Sequence, residues 1–402
     1  MKKKVLFVIN TLGHAGAEMA MLELMKQFDE NQYELSLYVL MAQGELVHRV
    51  PSHVKLRNST YNDKSVLSKE GYTNMLKTIC IAARRNANGI RLMPYMIKNG
   101  CRMINGHHFQ IEKLVWRLVS DGADHLEETY DLAIAYLEGG SAYYVADHVK
   151  AKQKAAFVHI DYAKAGYTRM LDRDCYLKFN RIFTVSDEVK EHFLKAYPEC
   201  QLRTRVFHNF INQEEIIRKS KDGEGFVDHY NGIRLLTVGR LTNQKAYDIA
   251  IDAMVLLKKQ NYNIRWYILG EGPERKRLEQ KIGKVGLVKD FYLLGAVFNP
   301  YPYYVKTDIY VHATRFEGKS IAIQEAQTLG CAIIASNSSG NREQIRNEKD
   351  GILCELQAEK IAESIMRLVN DKKLRETFSK VSRHKKINYC EDMDMLLELL
   401  EM

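Results

Sequence analysis

The chain has 402 residues, of which 46% are hydrophobic, and its formal net charge is +9. This length allows two domains of ordinary size, and the composition is globular, which excludes a disordered or fibrous chain. The seven cysteines form no C-x-x-C pair, which argues against a zinc ribbon and a disulfide framework, so we expect free thiols. The positive charge suits polyphosphates, anionic membranes or nucleic acid and does not choose among them.

The N-terminus begins like a signal peptide, but its apolar part runs only from Val5 to Ile9 and ends at Asn10. We interpret this run as a first β-strand. No other segment has the length and apolarity of a transmembrane helix. We therefore expect a cytoplasmic protein.

Short apolar runs that end in polar or glycine-containing loops recur along the chain and predict buried parallel strands. In the first half these runs are 5–9, 34–41, 54–57, 131–137, 154–158, 181–185 and 205–207. In the second half they are 233–238, 263–269, 291–294, 308–311, 331–335 and 351–354. Helices are expected at 17–28, 359–369, 372–385 and 391–401. A polar linker between about 212 and 230 then gives two α/β domains, 1–212 and 213–385, and a closing segment 386–402.

Two loops at strand ends contain paired glycines. Gly13 and Gly16 lie between the first strand and the first helix, an arrangement that suits a phosphate group. The spacing is not G-x-G-x-x-G, so a dinucleotide fingerprint is not supported, and a tight turn explains the loop equally well. Residues 138–141 read EGGS after a strand and predict a second ligand-facing loop.

Residues 64–118 contain ten Lys and Arg against two acids, with apolar and aromatic residues interleaved. This pattern is typical of basic amphipathic helices that lie on an anionic membrane. Ordinary surface helices with solvated lysines are the alternative. Nucleic acid is a third interpretation, but no RNA- or DNA-binding motif accompanies the charge. We therefore expect peripheral contact with the inner face of a cell membrane and no nucleic acid.

The stretch from His312 to Glu343 is the central feature of the second half, because it predicts a helix, a strand and a ligand-facing loop in succession. Ser320 suits the N-cap of a helix, and Gly330 suits its end. A buried strand follows at 331–335, and the polar run 336–341 predicts a flexible loop at the carboxyl end of that strand. In open α/β sheets, ligands bind outside these carboxyl ends.

Two carboxylates frame the helix in this stretch. The free amides near Ser320 and Ile321 suit a phosphate, since they form the positive end of the helix dipole. Glu325, within the helix, can accept hydrogen bonds from two neighbouring ribose hydroxyls, and Glu317, in the loop before it, can do the same for a sugar. The spacing alone is better explained by two solvated acids beside an amphipathic helix.

The sequence around the acids changes that balance. EGKSIAIQEA and SGNRE resemble the E-x7-E region of retaining glycosyltransferases of family 4, in which Glu317 and Glu325 match the two acids. The resemblance implies the GT-B fold, with two facing Rossmann-like domains and parallel sheets. It also implies that the second domain binds the donor, that the first binds the acceptor, and that a C-terminal helix crosses back onto the first domain.

A second match is to the family's G-R-x4-K-G signature. Gly239, Arg240 and Lys245 fit it, and Ala246 replaces the final glycine. The chemistry suits a diphosphate, because Arg grips two oxygens at once and Lys supplies a point charge. The charge on the diphosphate grows as the bond to the sugar breaks, so these cations stabilise the transition state more than the ground state. Two surface cations at a helix start are the alternative.

Four further positions resemble the family. Gly16 belongs to a segment like GGAE, in which Ala15 replaces the first glycine, and Asn209 belongs to a segment like V-x-N-G before the linker. His159, at the end of a strand, matches a histidine that faces the donor sugar. Val297 lies in a loop that packs against the nucleotide base, and the run NPYPYY beyond it resembles enzymes of bacterial surface polysaccharide assembly.

The resemblance implies hexosyl or N-acetylhexosaminyl transfer, with retention, from a nucleotide diphosphate sugar, with UDP favoured, to a glycan or polyprenyl-linked acceptor. The implied catalytic residues are His159, Arg240, Lys245 and Glu317. The implied nucleotide-binding residues are Gly16, Asn209, Gly239, Val297, Ser320, Ile321 and Glu325. A sugar-nucleotide epimerase of the same fold and a non-catalytic subunit of an assembly complex are the alternatives, and the catalytic set argues against the subunit.

Two Asp-x-Asp triplets, 172–174 and 392–394, raise the question of a metal ion. Neither follows a predicted strand, where glycosyltransferases of the other major fold place such a motif. Arg240, Lys245 and helix amides can also do the work of a metal. We therefore expect no metal and no cofactor beyond the donor substrate.

Overall fold

The computed structural model describes residues 2–13, 15–66, 68–85, 90, 92–104, 111–162, 167, 169–385 and 390–401. The chain divides into two compact units, which are residues 1–210 with 388–402, and residues 211–387. Parts of the predicted basic segment (67, 86–89, 91 and 105–110) and residues 386–389 of the closing segment lie outside the described residues.

The first unit contains a parallel sheet of seven strands. They are β1 (Lys3–Ile9), β2 (Tyr33–Val39), β3 (Lys55–Leu56), β4 (Thr129–Ala135), β5 (Lys150–Val158), β6 (Arg181–Thr184) and β7 (Thr204–Val206). Their order is β3-β2-β1-β4-β5-β6-β7, and every pair is parallel. The helices are α1 (Gly16–Met25), α2 (Lys69–Arg84), α3 (Met93–Ile104), α4 (Ile111–Asp121), α5 (Gly140–His148), α6 (Arg169–Asp172), α7 (Asp187–Ala196) and a C-terminal helix named below.

Both faces of this sheet are buried at its interior strand β1, which explains the unbroken apolar run from Val5 to Ile9. Side chains of successive strand residues point to opposite faces. On β1, Val5, Phe7 and Ile9 therefore join one core cluster and Leu6 and Val8 join the other. A strand that is covered by helices on both faces is therefore apolar at successive positions.

The second unit contains a parallel sheet of six strands. They are β8 (Ile233–Val238), β9 (Ile264–Leu269), β10 (Phe291–Gly295), β11 (Ile309–His312), β12 (Ala332–Ser336) and β13 (Ile352–Cys354). Their order is β10-β9-β8-β11-β12-β13, and every pair is parallel. The helices of this unit are α8 (Gln213–Lys219), α9 (Tyr247–Lys259), α10 (Arg275–Lys284), α11 (Tyr301–Val305), α12 (Ile321–Thr328), α13 (Ser339–Gln344), α14 (Ala358–Asn370) and α15 (Lys372–Arg383).

Two polar stretches differ from their expected structure. The run 336–341, expected as a flexible loop, is where α13 begins, because Asn341 donates from Nδ2 to the carbonyl of Ser336 at 2.8 Å. The polar stretch after residue 212 begins with helix α8, whose N-cap Asn212 accepts a hydrogen bond from the N–H of Glu215 at 2.9 Å. In both places a side-chain amide forms a hydrogen bond with a backbone group beside the helix start.

The C-terminal helix α16 (Cys390–Glu401) belongs to the first unit. Leu396 and Leu399 are buried in the same core cluster as alternate residues of β1. Lys3 donates from Nζ to the carbonyl of Leu400, and His208 Nδ1 lies 3.0 Å from Asp392 Oδ2. With its two Rossmann-like units and returning helix, the chain confirms the predicted GT-B fold.

The basic segment forms helices α2, α3 and α4 in its described part, and α4 differs from expectation. Lys113 and Arg117 of α4 were expected on a membrane-facing surface, yet both are buried. Lys113 donates to Asp172 and Arg117 donates to Asp147, each at 2.7 Å. These two cations therefore attach α4 to the body of the first unit. No helix in the described part of the chain is long and apolar enough to cross a membrane.

Candidate active site

Each sheet has one topological switch point. There, the connections that leave two neighbouring strands lead towards opposite edges of the sheet. In the second unit this place lies between β8 and β11. The loops that follow these two strands, 239–246 and 313–320, therefore start side by side at the carboxyl edge of the sheet. Such switch points are where open α/β sheets bind ligands.

The predicted cation and acid meet here. Lys245 donates from Nζ to the carboxylate of Glu317, and the two side chains are 14% and 16% exposed. His312, the last residue of β11, is buried and places Nε2 3.4 Å from Glu317 Oε2. The structure thus brings the lysine to a carboxylate 72 positions later in the sequence, beside a histidine of the same strand-and-loop segment.

The charges in this cluster follow from burial and from the lysine. Burial disfavours the charged form of Glu317, but Lys245 and His312 outweigh that cost and hold its pKa at about 2. Burial and the charge of Lys245 lower the pKa of His312. At neutral pH the cluster therefore contains a cationic lysine, an anionic glutamate and a neutral histidine.

The loops that carry Lys245 and Glu317 are joined to each other. Arg315 donates to both carboxylate oxygens of Asp248, at 3.1 and 2.8 Å, and its N–H donates to the carbonyl of Gln244 at 2.8 Å. The side chain of Gln244 donates to the carbonyl of Phe316 at 2.9 Å. These bonds fix the lysine and the glutamate relative to each other.

Ala246 takes a left-handed backbone conformation, with φ of +49°. The resemblance places a glycine at this position, and the structure shows why, since glycine adopts such a φ without strain. A left-handed alanine costs on the order of 1 kcal/mol, and the bonds around Gln244 hold it there.

Arg240 and Gly239 follow β8 directly. Gly239 lies beside the lysine, because a Cβ on Gly239 would lie 3.4 Å from Lys245 Cε. Arg240 is exposed and forms no ion pair with any residue in the described ranges. Its guanidinium is therefore available to an anion at the strand end.

The start of helix α12 differs from expectation. The N–H of Ser320 was expected to be free for a phosphate, but it donates to Gln344 Oε1 at 2.8 Å, and the carbonyl of Ser320 accepts from Gln344 Nε2 at 2.8 Å. Ser320 is the N-cap residue, yet its side chain makes no capping hydrogen bond. Ile321, the first residue of the helix, is half-buried.

Glu325 is held by two tyrosines that we did not assign to the site from the sequence. Tyr301 donates to Oε1 and Tyr304 to Oε2, each at 3.1 Å. Burial raises the pKa of Glu325 to about 7, although both hydroxyls favour the charged form. The NPYPYY run was visible in the sequence, but no local pattern connects it with Glu325.

Gly340 is another residue that sequence reasoning did not single out. A Cβ on this residue would lie 1.4 Å from the carbonyl oxygen of Gly318 and 2.5 Å from that of Glu317. Any side chain at position 340 would therefore displace the loop that carries Glu317. The glycine allows the start of α13 to lie directly against this loop.

The first unit has its own cluster, at the switch point between β1 and β4. Asn10, after β1, donates to the carbonyl of Glu138 at 3.3 Å and accepts from the N–H of Ser141 at 2.7 Å. Glu138 Oε2 accepts the N–H of His159 at 2.9 Å. Glu138 and Asn10 therefore tie the loop 138–141 to the ends of β1 and β5.

His159 is half-buried, and its Nε2 is enclosed without a hydrogen-bond partner among the described residues. Burial lowers the pKa of His159 to about 4, so the imidazole is neutral at physiological pH. A neutral imidazole can donate to or accept from a hydroxyl group, which is the chemistry expected of a sugar contact.

The remaining predicted positions are distributed as follows. Gly16 opens α1, and Asn209 is buried just beyond β7, so both belong to the first unit with His159. Val297 is half-buried after β10 and packs against one of two apolar clusters in the second unit, the cluster that contains Tyr304 and Tyr310.

Both Asp-x-Asp triplets have structural contacts. Asp172 is buried and accepts hydrogen bonds at 2.7 to 2.9 Å from Lys113 and from three tyrosines, Tyr143, Tyr162 and Tyr197. Asp392 contacts His208. A different group has the composition of a metal site, because ligand atoms of Asp161, Glu188 and His192 lie within 4.8 Å of one another.

Comparison with known proteins finds one matching family. Residues 228–385 match the family described as glycosyl transferases group 1. They include Gly239, Lys245, Glu317 and Glu325. The matched residues make up most of the second unit.

Several curated proteins are similar to part of the chain. One is the Campylobacter jejuni N-acetylgalactosamine-N,N'-diacetylbacillosaminyl-diphospho-undecaprenol 4-alpha-N-acetylgalactosaminyltransferase, 28% identical over 205 residues, which are 50% of this chain and 54% of that protein. Another is the Escherichia coli UDP-Gal:alpha-D-GlcNAc-diphosphoundecaprenol alpha-1,3-galactosyltransferase, 28% identical over 216 residues, 52% of this chain and 56% of that protein. The chain thus spans about half the length of these relatives.

Solved structures match the whole chain. Anabaena HepE in complex with UDP and glucose superposes with a TM-score of 0.69 at 15% identity, covering 99% of each chain. A glycosyltransferase of lipopolysaccharide biosynthesis, WaaG, superposes with a TM-score of 0.63 at 14% identity, covering 98% of this chain and 99% of WaaG. At these identities the likeness shows the shared fold.

Proposed function

We propose that this protein is a retaining glycosyltransferase that moves a hexosyl or N-acetylhexosaminyl group from a UDP-sugar to a glycan or polyprenyl-linked acceptor in surface polysaccharide synthesis. The observation that carries the proposal is the meeting of Lys245, Glu317 and His312 at the switch point of the second unit, which matches the group 1 family. The names of the Campylobacter jejuni and Escherichia coli relatives both include an undecaprenol-linked sugar, which supports a polyprenyl-linked acceptor. The name of the Escherichia coli relative also includes UDP-Gal, which supports a UDP-sugar donor.

The proposed reaction is a front-face displacement. The bond between the anomeric carbon and the β-phosphate oxygen breaks while the acceptor oxygen bonds to the same face of that carbon. The proton of the acceptor hydroxyl passes to the departing diphosphate oxygen. No covalent bond to the enzyme is formed.

Each residue has a role that follows from its charge and contacts. Lys245 has three N–H donors, so its ammonium can keep its contact with Glu317 and still bind a phosphate oxygen. The exposed Arg240 adds a two-pronged contact to the same diphosphate. Glu317 binds hydroxyls of the donor sugar and Glu325 those of the ribose, and we assign His159 to the sugar or the acceptor.

The proposed donor site works without a metal ion, because Lys245 and Arg240 supply the positive charge that a divalent cation would bring. Calorimetric titration of the purified protein with UDP, GDP and ADP, each with and without EDTA, tests this. We expect saturable binding of UDP that is unchanged by EDTA and lost in Glu325→Ala. Binding that disappears with EDTA would contradict the metal-independent site, and no binding of any diphosphate would favour the non-catalytic subunit.

The epimerase is distinguished by a second measurement. A transferase is expected to consume the UDP-sugar, beyond slow hydrolysis, only when a polyprenyl-diphosphate-linked acceptor is added. Conversion of the donor to a second UDP-sugar without acceptor would support the epimerase. Following the sugar nucleotides by liquid chromatography separates the two outcomes.

We also propose that the first unit contacts an anionic membrane through α2 and α3. The exposed large apolar side chains on these helices are Tyr72, Leu76, Ile81, Met93, Met96 and Ile97. The exposed basic side chains on them are Lys69, Lys77, Arg84 and Lys98. Mixed apolar and basic surfaces of this kind bind interfacially to anionic lipids. The buried pairs of α4 attach this surface to the unit.

Vesicle sedimentation tests the membrane proposal. The protein is expected to pellet with phosphatidylcholine vesicles that contain phosphatidylglycerol and not with phosphatidylcholine alone. Replacing Lys69, Lys77 and Arg84 by Glu should weaken binding roughly a hundredfold, because each basic residue near an anionic surface contributes about 1 kcal/mol.

The matched control makes the same change of charge elsewhere. Lys259, Lys284 and Lys289 are exposed residues of the second unit, and their triple Glu variant is expected to bind as the wild type does. Equal loss in both triple variants would mean that net charge, and not this surface, drives binding. Wild-type binding equal to background would remove the membrane from the proposal.

A further inference from the structure

Helix α11 presents two phenol groups to one carboxylate. Tyr301 and Tyr304 are three positions apart, which places them on the same face of the helix. Their hydroxyls donate to different oxygens of Glu325, Tyr301 to Oε1 and Tyr304 to Oε2, each at 3.1 Å. Tyr304 is 1% exposed and Tyr301 is 9% exposed, so both bonds are shielded from water.

This arrangement restricts the carboxylate in a particular way. A carboxylate oxygen has two lone pairs, so one hydrogen bond to each oxygen leaves both oxygens able to accept one more. The two anchored oxygens also prevent the group from rotating about its Cγ–Cδ bond. The result is a fixed pair of acceptors that matches two neighbouring hydroxyls, such as those of a ribose.

We propose that Tyr301 and Tyr304 are positioning residues that orient Glu325 to accept hydrogen bonds from both ribose hydroxyls of the donor nucleotide. This inference rests on the proposed function and adds a specificity that the function alone does not require. With the carboxylate held in place, the site distinguishes a ribonucleotide from a 2′-deoxyribonucleotide, because loss of one hydroxyl leaves one oriented oxygen without its second hydrogen bond.

The tyrosine rings also pack in the apolar core, so the test has to remove the hydroxyls and keep the rings. The ring of Tyr304 lies 5.2 Å from that of Tyr310, and both belong to the same apolar cluster of the second unit. A change of Tyr to Phe keeps the ring and removes only the hydroxyl. Tyr303 provides a matched control, because it lies between the two on α11, packs its ring 5.0 Å from Phe226, and makes no hydrogen bond to Glu325.

The experiment is calorimetric titration with UDP and with 2′-deoxy-UDP. Wild type and Tyr303→Phe are expected to prefer UDP roughly tenfold, the usual effect of one hydrogen bond to a charged group. In the double variant Tyr301→Phe/Tyr304→Phe the preference for UDP should fall to about twofold, and the affinity for 2′-deoxy-UDP should be nearly unchanged. The reason is that a carboxylate free to rotate no longer forms a well-oriented hydrogen bond with the second hydroxyl. In a Glu325→Gln background the same two changes should alter neither affinity.

Three results would overturn the inference, and they differ from one another. If the wild type prefers UDP and the double variant keeps the full preference, the tyrosines do not position Glu325 although the proposed function stands. If the wild type binds both nucleotides equally, Glu325 does not contact both hydroxyls. If the wild type binds neither, the proposed function fails and the inference with it. The single variants Tyr301→Phe and Tyr304→Phe give the same comparison if the double variant does not fold.

Discussion

At the scale of single residues, the site depends on charges that modify one another. Glu317 stays charged in a buried place because Lys245 is beside it, and Lys245 in turn has part of its charge offset before any substrate arrives. A diphosphate brings more negative charge than one carboxylate, so its binding at Lys245 is favourable even though the ion pair already exists.

Lys245→Ala is the most direct test of this cluster. The variant is expected to lose at least about a hundredfold in transfer rate, since one preorganised cation at the leaving group is worth about 3 kcal/mol. Thermal unfolding should show that the fold is kept. Lys259→Ala, on the exposed side of α9, is the control and should leave the rate unchanged. An unchanged rate in Lys245→Ala would disprove the diphosphate assignment.

The pH dependence of UDP binding should follow Glu325. Its pKa of about 7 lies above the ordinary value of 4.5, because burial outweighs the two tyrosine hydroxyls. The folded protein therefore holds this proton more tightly than the unfolded chain, and this group's contribution to stability falls as pH rises from 4.5 to about 7. UDP needs the charged carboxylate, so affinity should decrease as pH falls through about 7. Calorimetric titration with UDP at pH values on both sides of about 7 checks the prediction. In Glu325→Gln the affinity for UDP should no longer show this pH dependence.

At the scale of elements, hydrogen bonds join the loops of the site, and Gly340 allows a helix to lie in direct contact with one of them. The hydrogen bonds of Gln244 and Arg315 join the loops after β8 and β11. Gln344 closes the start of α12, and Gly340 brings α13 against the loop of Glu317. A strained Ala246 is tolerated because these contacts fix the loop on both sides.

Gly340→Ala should therefore act on Glu317 from a distance. The new methyl group would occupy the position of the Gly318 carbonyl, so the loop has to move and transfer activity should fall by at least about tenfold, as expected when a reacting group is misplaced. Gly283→Ala is the control, because nothing lies within 4 Å of a Cβ at that helical position. Unchanged activity in Gly340→Ala would show that the loop adapts without moving Glu317.

At the scale of the whole molecule, each unit has its own core, and the first unit has a buried polar centre as well. The buried carboxylate of Asp172 accepts hydrogen bonds from Lys113 and three tyrosines. Arg117 donates to the carbonyl of Asp172 at 2.8 Å. This centre holds α4 and, through the packing of α2 on α4, the surface that we assign to the membrane.

Asp172→Asn should destabilise the first unit by about 3 kcal/mol, because it leaves the Lys113 ammonium buried without its counter-charge. Asp174→Asn, in the same triplet but exposed, is the control and should cost less than about 1 kcal/mol. The chain has two tryptophans, Trp116 in α4 and Trp266 in β9, so urea unfolding of a Trp266→Phe background reports the first unit alone. Equal effects of the two variants would contradict the role given to Asp172.

The sequence by itself determined the local structure and the type of site. The buried run from Val5 to Ile9 is unbroken and apolar, and the two acids of the E-x7-E region lie on one loop-and-helix segment, so local pattern was sufficient. The tertiary structure alone decided which distant residues meet. The pairing of Tyr301 and Tyr304 with Glu325, of Gln344 with Ser320, and of Lys113 with Asp172 depends on the order of strands in each sheet. Burial then changes what a residue does, because a lysine or carboxylate that would be solvated on a surface helix needs a specific partner once water is removed.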